Sequence, residues 1–152
     1  MDEVNIYTYT NIKGPGKRSG AFTYILETET SKGLATLNKT EFLESATENR
    51  AELTALIKAL QRLTKPCILT IYTDSPYVAA GYTQNRIENW IKTGWTNAKG
   101  EPVANKEEWQ KTAELLGRHT VSFVVKEWHS YKAWLVAETE KQKERTNEEH
   151  VS

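Results

Sequence analysis

The chain has 152 residues, with 20 Lys+Arg balanced by 20 Asp+Glu, 38% hydrophobic and 10% aromatic residues. That is enough for one domain with a real core, too apolar for a disordered chain, and without the bulk charge that holds a protein to nucleic acid or membrane. The single cysteine, Cys67, excludes a disulfide framework and a cysteine-built zinc site; with no long apolar run and no signal-like N-terminus, a soluble cytoplasmic monomer without membrane contact is expected.

Residues 5–10 alternate β-branched and aromatic side chains and predict a first strand. Residues 13–20, with three glycines and the basic Lys13, Lys17 and Arg18, predict a solvated turn. Strands follow at 21–28 and 33–43, joined by short polar links that suit an antiparallel meander. The period then changes. Leu53, Leu56, Ile57, Leu60 and Leu63 recur at helical spacing and predict a helix over 48–63, stopped by Pro66.

Residues 67–73 are a nearly continuous apolar run, the pattern of a strand covered on both faces, with Cys67 as a core residue. Helical stretches around 77–81 and over 85–92 precede a polar loop at 94–105 that carries Trp95. A helix over 106–116, a strand over 120–128 and a helix over 131–143 complete a domain of residues 1–143. The charged residues 144–152 predict a fraying helix end or a disordered tail. A helix between a meander and a buried strand predicts a parallel crossover, hence a mixed α/β sheet flanked by helices.

Three groups of residues match more than a pattern. Thr47-Glu48-Asn49-Arg50-Ala51-Glu52-Leu53, followed by Thr73-Asp74-Ser75-Pro76-Tyr77-Val78, resembles the T-x-N-R-x-E-L and T-D-S-x-Y-V motifs of type 1 ribonuclease H. Ile87 to Trp90, Gly94-Trp95, Pro102-Val103 and Asn105 to Gln110 resemble that family's handle, a helix and loop that grip nucleic acid. Gly14-Pro15-Gly16 and Ser19-Gly20-Ala21 fall where the family has a glycine-rich first hairpin. The resemblance implies a ribonuclease H-like fold, a five-stranded mixed sheet of order 3-2-1-4-5 with helices on both faces. It also implies hydrolysis of the RNA strand of an RNA–DNA hybrid with two magnesium ions.

Two hard dications side by side need oxygen ligands with concentrated negative charge. The family supplies four carboxylates, of which Glu52 and Asp74 match the first-helix Glu and the second Asp. They are the candidate catalytic and metal-binding residues, for a weakly held Mg²⁺ or Mn²⁺ or for no metal. The first-strand Asp position is Tyr9, in Ile6-Tyr7-Thr8-Tyr9, and a neutral phenol does not bridge magnesium ions. Asp2, about 23 Å back along a strand at roughly 3.3 Å per residue, is out of reach. The last-helix Asp position falls on Trp134. Glu138, about 6 Å further along the helix on nearly the same face, is a candidate substitute. His129 stands near the place of a family histidine, on a shorter loop.

Among handle residues, Thr47, Asn49, Trp90, Lys92, Trp95 and Asn105 are candidate nucleic-acid contacts. Each has a plainer role: helix capping for Thr47, loop stabilisation for Asn105, and packing for Trp90 and Trp95, as for Trp109. Glu48 replaces a family Asn and puts negative charge on the phosphate path. His119 and His150 lack metal-ligand spacing. Three functions stay open: a degenerate ribonuclease H that binds hybrid or duplex nucleic acid with little or no hydrolysis, a working hybrid endonuclease with a rebuilt site, or a domain that binds an unknown protein partner.

Overall fold

In the computed structural model, which describes the backbone of residues 1–151 and the side chains of residues 1–142, the alternating N-terminal segment forms β1 (Asp2–Thr10). It starts three residues earlier than alternation predicts. Asp2 to Asn5 pair in parallel with Cys67 to Thr70 of β4 (Cys67–Thr73), and that pairing overrides the poor strand propensity of the acids. The meander is antiparallel: β2 (Arg18–Thr30) pairs with β1, and β3 (Gly33–Ala46) pairs with β2 from Arg18↔Ala46 to Thr30↔Gly33. The sheet order is β3-β2-β1-β4-β5, with β5 (Thr120–Val125) parallel to β4. β5 stops at Val125 because β4 ends at Thr73, whose carbonyl accepts from Lys126 N–H at 2.9 Å; no strand is left to pair with 126–128.

Five helices cover the sheet: α1 (Glu48–Leu60), α2 (Pro76–Thr83), α3 (Arg86–Lys92), α4 (Lys106–Leu116) and α5 (Lys132–Val151). α1 ends at Leu60 rather than Leu63. Arg62 N–H and Leu63 N–H turn back to the carbonyls three residues earlier, tightening the chain ahead of Pro66. The charged tail expected at 144–152 and His150 lie outside the residues whose side chains are described. No described helix is long and apolar enough to cross a membrane.

The two faces of the sheet divide by parity. Val4, Ile6, Phe22, Tyr24, Leu26, Cys67, Leu69 and Ile71 pack against Leu53, Leu56 and Leu60 of α1 in the larger core. Tyr7 and Ile25 face the other way and pack on Leu135 of α5, with Tyr9, Tyr72 and Tyr131 beside them. From β1 the chain runs to β2 on one side and, through α1, to β4 on the other. The carboxyl ends of β1 and β4 therefore open a crevice at the reversal of strand order.

Candidate active site and handle

The crevice brings Glu52, Asp74, Tyr9, Lys13 and Lys132 together. α1 is started by Thr47, whose Oγ1 accepts from Arg50 N–H at 3.2 Å. That start turns Glu52 onto the same buried face as Ala55, Leu56 and Ala59, and leaves it 1% exposed. Neither carboxylate oxygen of Glu52 has a hydrogen-bond partner among the described residues. Asp74 directly follows β4. Ser75 caps the next helix, its Oγ accepting from Val78 N–H at 3.2 Å, with Pro76 opening α2. The Asp74 carboxylate is thereby left to the pocket.

Two ammonium groups fill the space that these carboxylates face. Lys132 Nζ donates to Asp74 Oδ2 at 2.8 Å from a largely buried side chain. Lys13 Nζ lies 3.6 Å from Glu52 Oε1, 3.6 Å from Asp74 Oδ2 and 3.9 Å from Glu48 Oε2. Both sit over the ring of Tyr9, at 5.0 Å for Lys13 and 4.7 Å for Lys132, within cation–π range. Tyr9 thus offers these cations an aromatic face where the family motif offers metal a carboxylate.

Charge follows from this packing. Burial, helped by the charge of Asp74 and opposed by Lys13, pushes the Glu52 carboxyl up to about 8, so at neutral pH it is mostly protonated. Burial raises Asp74 too, but the Lys132 hydrogen bond and the charge of Lys13 outweigh it and hold that carboxyl below its usual value. Burial lowers the Lys13 ammonium, and Glu52, Asp74 and Glu48 more than reverse that. Burial raises the Tyr9 phenol, which stays neutral.

This set does not fit a two-metal centre. No group of three or more His, Cys, Asp or Glu among the described residues is arranged to hold a metal ion. A dication about 4 Å from one ammonium would be repelled by about 8 kcal/mol at an effective dielectric of roughly 20. With Glu52 protonated, Asp74 carries the negative charge of the pair, and Lys132 and Lys13 already place two ammonium groups beside it.

Glu138, the candidate substitute ligand, is not brought to this pair. It binds Lys141 at 3.0 Å on a different side of α5. Trp134 is not at the ligand position either; it lines a pocket over β2 and β3 with Ile25, Thr36, Asn38 and Tyr131. The row of α5 facing the crevice is Lys132, Val136 and Glu140, spaced by four. Lys132 reaches Asp74, and Glu140 accepts from Asn11 at 3.3 Å. The signal was in the helix pattern: with Leu135 and Thr139 fully buried, Lys132 must share their face. Lys13, read as part of a solvated turn, had no local signal, because its partners lie in α1 and after β4. Asp2, as expected, is remote and pairs with Lys65 at 3.3 Å. His129 is packed on Tyr7, and its Nδ1 accepts from Tyr131 N–H at 3.1 Å. His119 Nδ1 accepts from Cys67 N–H at 3.0 Å.

The handle is built on an aromatic cluster. Trp90 packs on Trp95 and Trp109 with ring centroids 5.9 and 5.3 Å apart, and Trp109 is 1% exposed. Tyr77 Oη accepts from Trp109 Nε1 at 2.8 Å and from Asn105 Nδ2 at 3.2 Å, tying the loop to α2. Trp95 and Asn105 both adopt positive φ, 63° and 58°, so the loop is held in a shape its residues disfavour. Trp90, Trp95 and Asn49 are half-buried and Lys92 is exposed.

A family model described as RNase H matches residues 1–145. The chain is 35% identical over 122 residues to the Ribonuclease H of Lachnoclostridium phytofermentans, covering 80% of this chain and 77% of that one. Among solved structures it is similar to LC9-RNase H1, described as a type 1 RNase H with the type 2 active-site motif. That match has a TM-score of 0.74 at 21% identity over 90% of this chain and 69% of the other. LC11-RNase H1, solved in complex with RNA/DNA hybrid, shares the fold with a TM-score of 0.53 at 18% identity over 87% of this chain and 92% of its own. With its sheet order, its Glu52–Asp74 pair and a family match across nearly its whole length, the chain belongs to the ribonuclease H family, on the type 1 side.

Proposed function

We propose that this chain is a nucleic-acid-binding member of its family that holds RNA–DNA hybrid, or another duplex, without hydrolysing the RNA strand. One observation carries the reading: Lys13 and Lys132 crowd two ammonium groups against the Glu52–Asp74 pair over the Tyr9 ring. Removing one preorganised electrostatic contributor commonly costs about 10²–10³ in rate, and here a metal-bridging carboxylate is replaced by a phenol. The handle supports retained binding. Trp90, Trp95, Lys92 and Asn105 would grip the backbone from α3 and the following loop, with Thr47 and Asn49 at the start of α1 on the minor-groove side. LC11-RNase H1, a relative in fold, binds RNA/DNA hybrid. With zero net charge, binding here is weak, with a shallow salt slope.

The test is cleavage of a labelled RNA–DNA hybrid with Mg²⁺ or Mn²⁺, run beside a gel shift of the same hybrid. A shift without cleavage supports the reading. Cleavage abolished by both Glu52→Gln and Asp74→Asn overturns it in favour of a working nuclease. The unpartnered Glu52 oxygens favour that second reading, since a buried carboxylate without a donor is what a single cation satisfies. Neither cleavage nor shift would turn the search to a protein partner.

A further inference from the structure

We propose that Lys13 and Lys132 are tethered counter-cations: their ammonium groups balance the charge that divalent metal balances in a carboxylate-built nuclease site, and the pocket works without metal. The inference concerns the same pocket as the functional reading and rests on that reading only for nucleic acid as the ligand.

The two lysines do this differently. Lys132 is the fixed one, with a side chain 9% exposed and a direct 2.8 Å bond to Asp74. Lys13 is the more loosely held one. Its side chain is 41% exposed, and its contacts of 3.6 to 3.9 Å are longer than hydrogen bonds, so it is held by charge and by the Tyr9 face rather than by hydrogen bonds. It stands on a turn with Gly14 and Gly16 at positive φ, which lets the chain fold back sharply toward α1. Gly14 N–H donates to Glu48 Oε1 at 3.0 Å and moors that turn over the pocket. Beneath it, both Glu52 oxygens lack a hydrogen-bond donor, so the Lys13 charge is what faces them. Taking Lys13 away removes one of the two ammonium charges at the pair and leaves Lys132 on Asp74; leaving it there makes a divalent ion compete with both.

The experiment is Mn²⁺ titration, followed by calorimetry and by electron paramagnetic resonance, of the full chain and of Lys13→Ala, each with and without Glu52→Gln. Lys13→Ala alters an exposed side chain and keeps the fold; Lys13→Ala/Lys132→Ala is added where its melting curve shows it folded. The expected result is Mn²⁺ affinity at least about tenfold tighter in Lys13→Ala than in the natural chain, and lost again with Glu52→Gln. Equal Mn²⁺ binding by the natural chain and Lys13→Ala overturns the proposal, and so does no binding by either. Hybrid affinity of the natural chain is measured in Mg²⁺ and in EDTA, where values within about twofold are expected and a tenfold gain from Mg²⁺ overturns the proposal. Failure to bind hybrid in both buffers sinks the functional reading and leaves the Mn²⁺ comparison standing.

Discussion

Lys132 Nζ lies 2.8 Å from Asp74 Oδ2, joining the first turn of α5 to the residue that follows β4. Both side chains are largely withdrawn from water, so removing Lys132 leaves Asp74 with the looser 3.6 Å contact to Lys13. Lys132→Met is expected to cost about 3 kcal/mol in urea unfolding, at the lower edge of the range for broken buried pairs because Asp74 keeps some contact with solvent. Asp74 has a depressed carboxyl in the folded chain. Its contribution is present above the unfolded value near 3.8 and is lost as pH falls through the folded value. The natural chain should therefore lose more stability in that acid window than Lys132→Met does.

Glu52 has the opposite sign. Its carboxyl rises from 4.5 to about 8 on folding, chiefly through burial and then through the Asp74 charge. The folded chain holds this proton where the unfolded chain has lost it, so stability is full below 4.5 and falls as pH rises to about 8. Glu52→Gln keeps the shape and removes the titration. Denaturation midpoints at pH 5 and pH 9 should differ less in that variant, which is expected to be the more stable protein at pH 9 by roughly 2 kcal/mol. A variant profile as steep as the natural one would show that Glu52 is ionised throughout.

Gly81 of α2 lies against the Trp109 ring. A Cβ there would meet Trp109 Cη2 at 2.1 Å, far inside contact distance. In an exposed helix, replacing glycine by alanine would add stability; here Gly81→Ala should cost about 1–3 kcal/mol, because the ring it strikes is held by Tyr77 and Trp90. Denaturant melts give the loss, and a changed near-ultraviolet dichroism would report the displaced indole.

Lys92 separates grip from packing in the handle. Trp90→Ala disturbs both, since its ring packs, tilted, between Trp95 and Trp109, whereas Lys92 is exposed at the end of α3. Lys92→Glu is expected to leave the melting temperature unchanged, weaken hybrid binding, and lower the salt slope by about 1. Unaltered affinity and slope would remove Lys92 from the binding surface.

Much of the fold is legible in local sequence because the hydrophobic period shifts from two to nearly four and back, as at Leu53, Leu56 and Leu60 after the meander. Ends are less so. Asp2 and Glu3 join β1 only because β4 lies beside them, and β5 stops where β4 does, neither of which is written in the residues themselves. In the site, Glu52 and Asp74 stand out by motif, because each is fixed by its own helix start or strand end. The lysines do not, since Lys13 meets partners from α1 and from the end of β4, and Lys132 depends on the rotation of α5. Trp134 and Glu138 illustrate that last point: each lies two residues from the row of Lys132, Val136 and Glu140, about 200° around the helix, and so presents to another side.

β3 closes one end of the sheet, a 14-residue strand with no strand paired on its outer side among the described residues. Its outward backbone groups are a template onto which another chain could add a strand. A protein with no net charge has little overall repulsion to keep copies apart. Lys39, Glu41 and Glu44 lie along that margin, and the job of discouraging edge-to-edge growth falls to them. Resistance to edge-to-edge association thus rests on the charges of one border, where salt screens them.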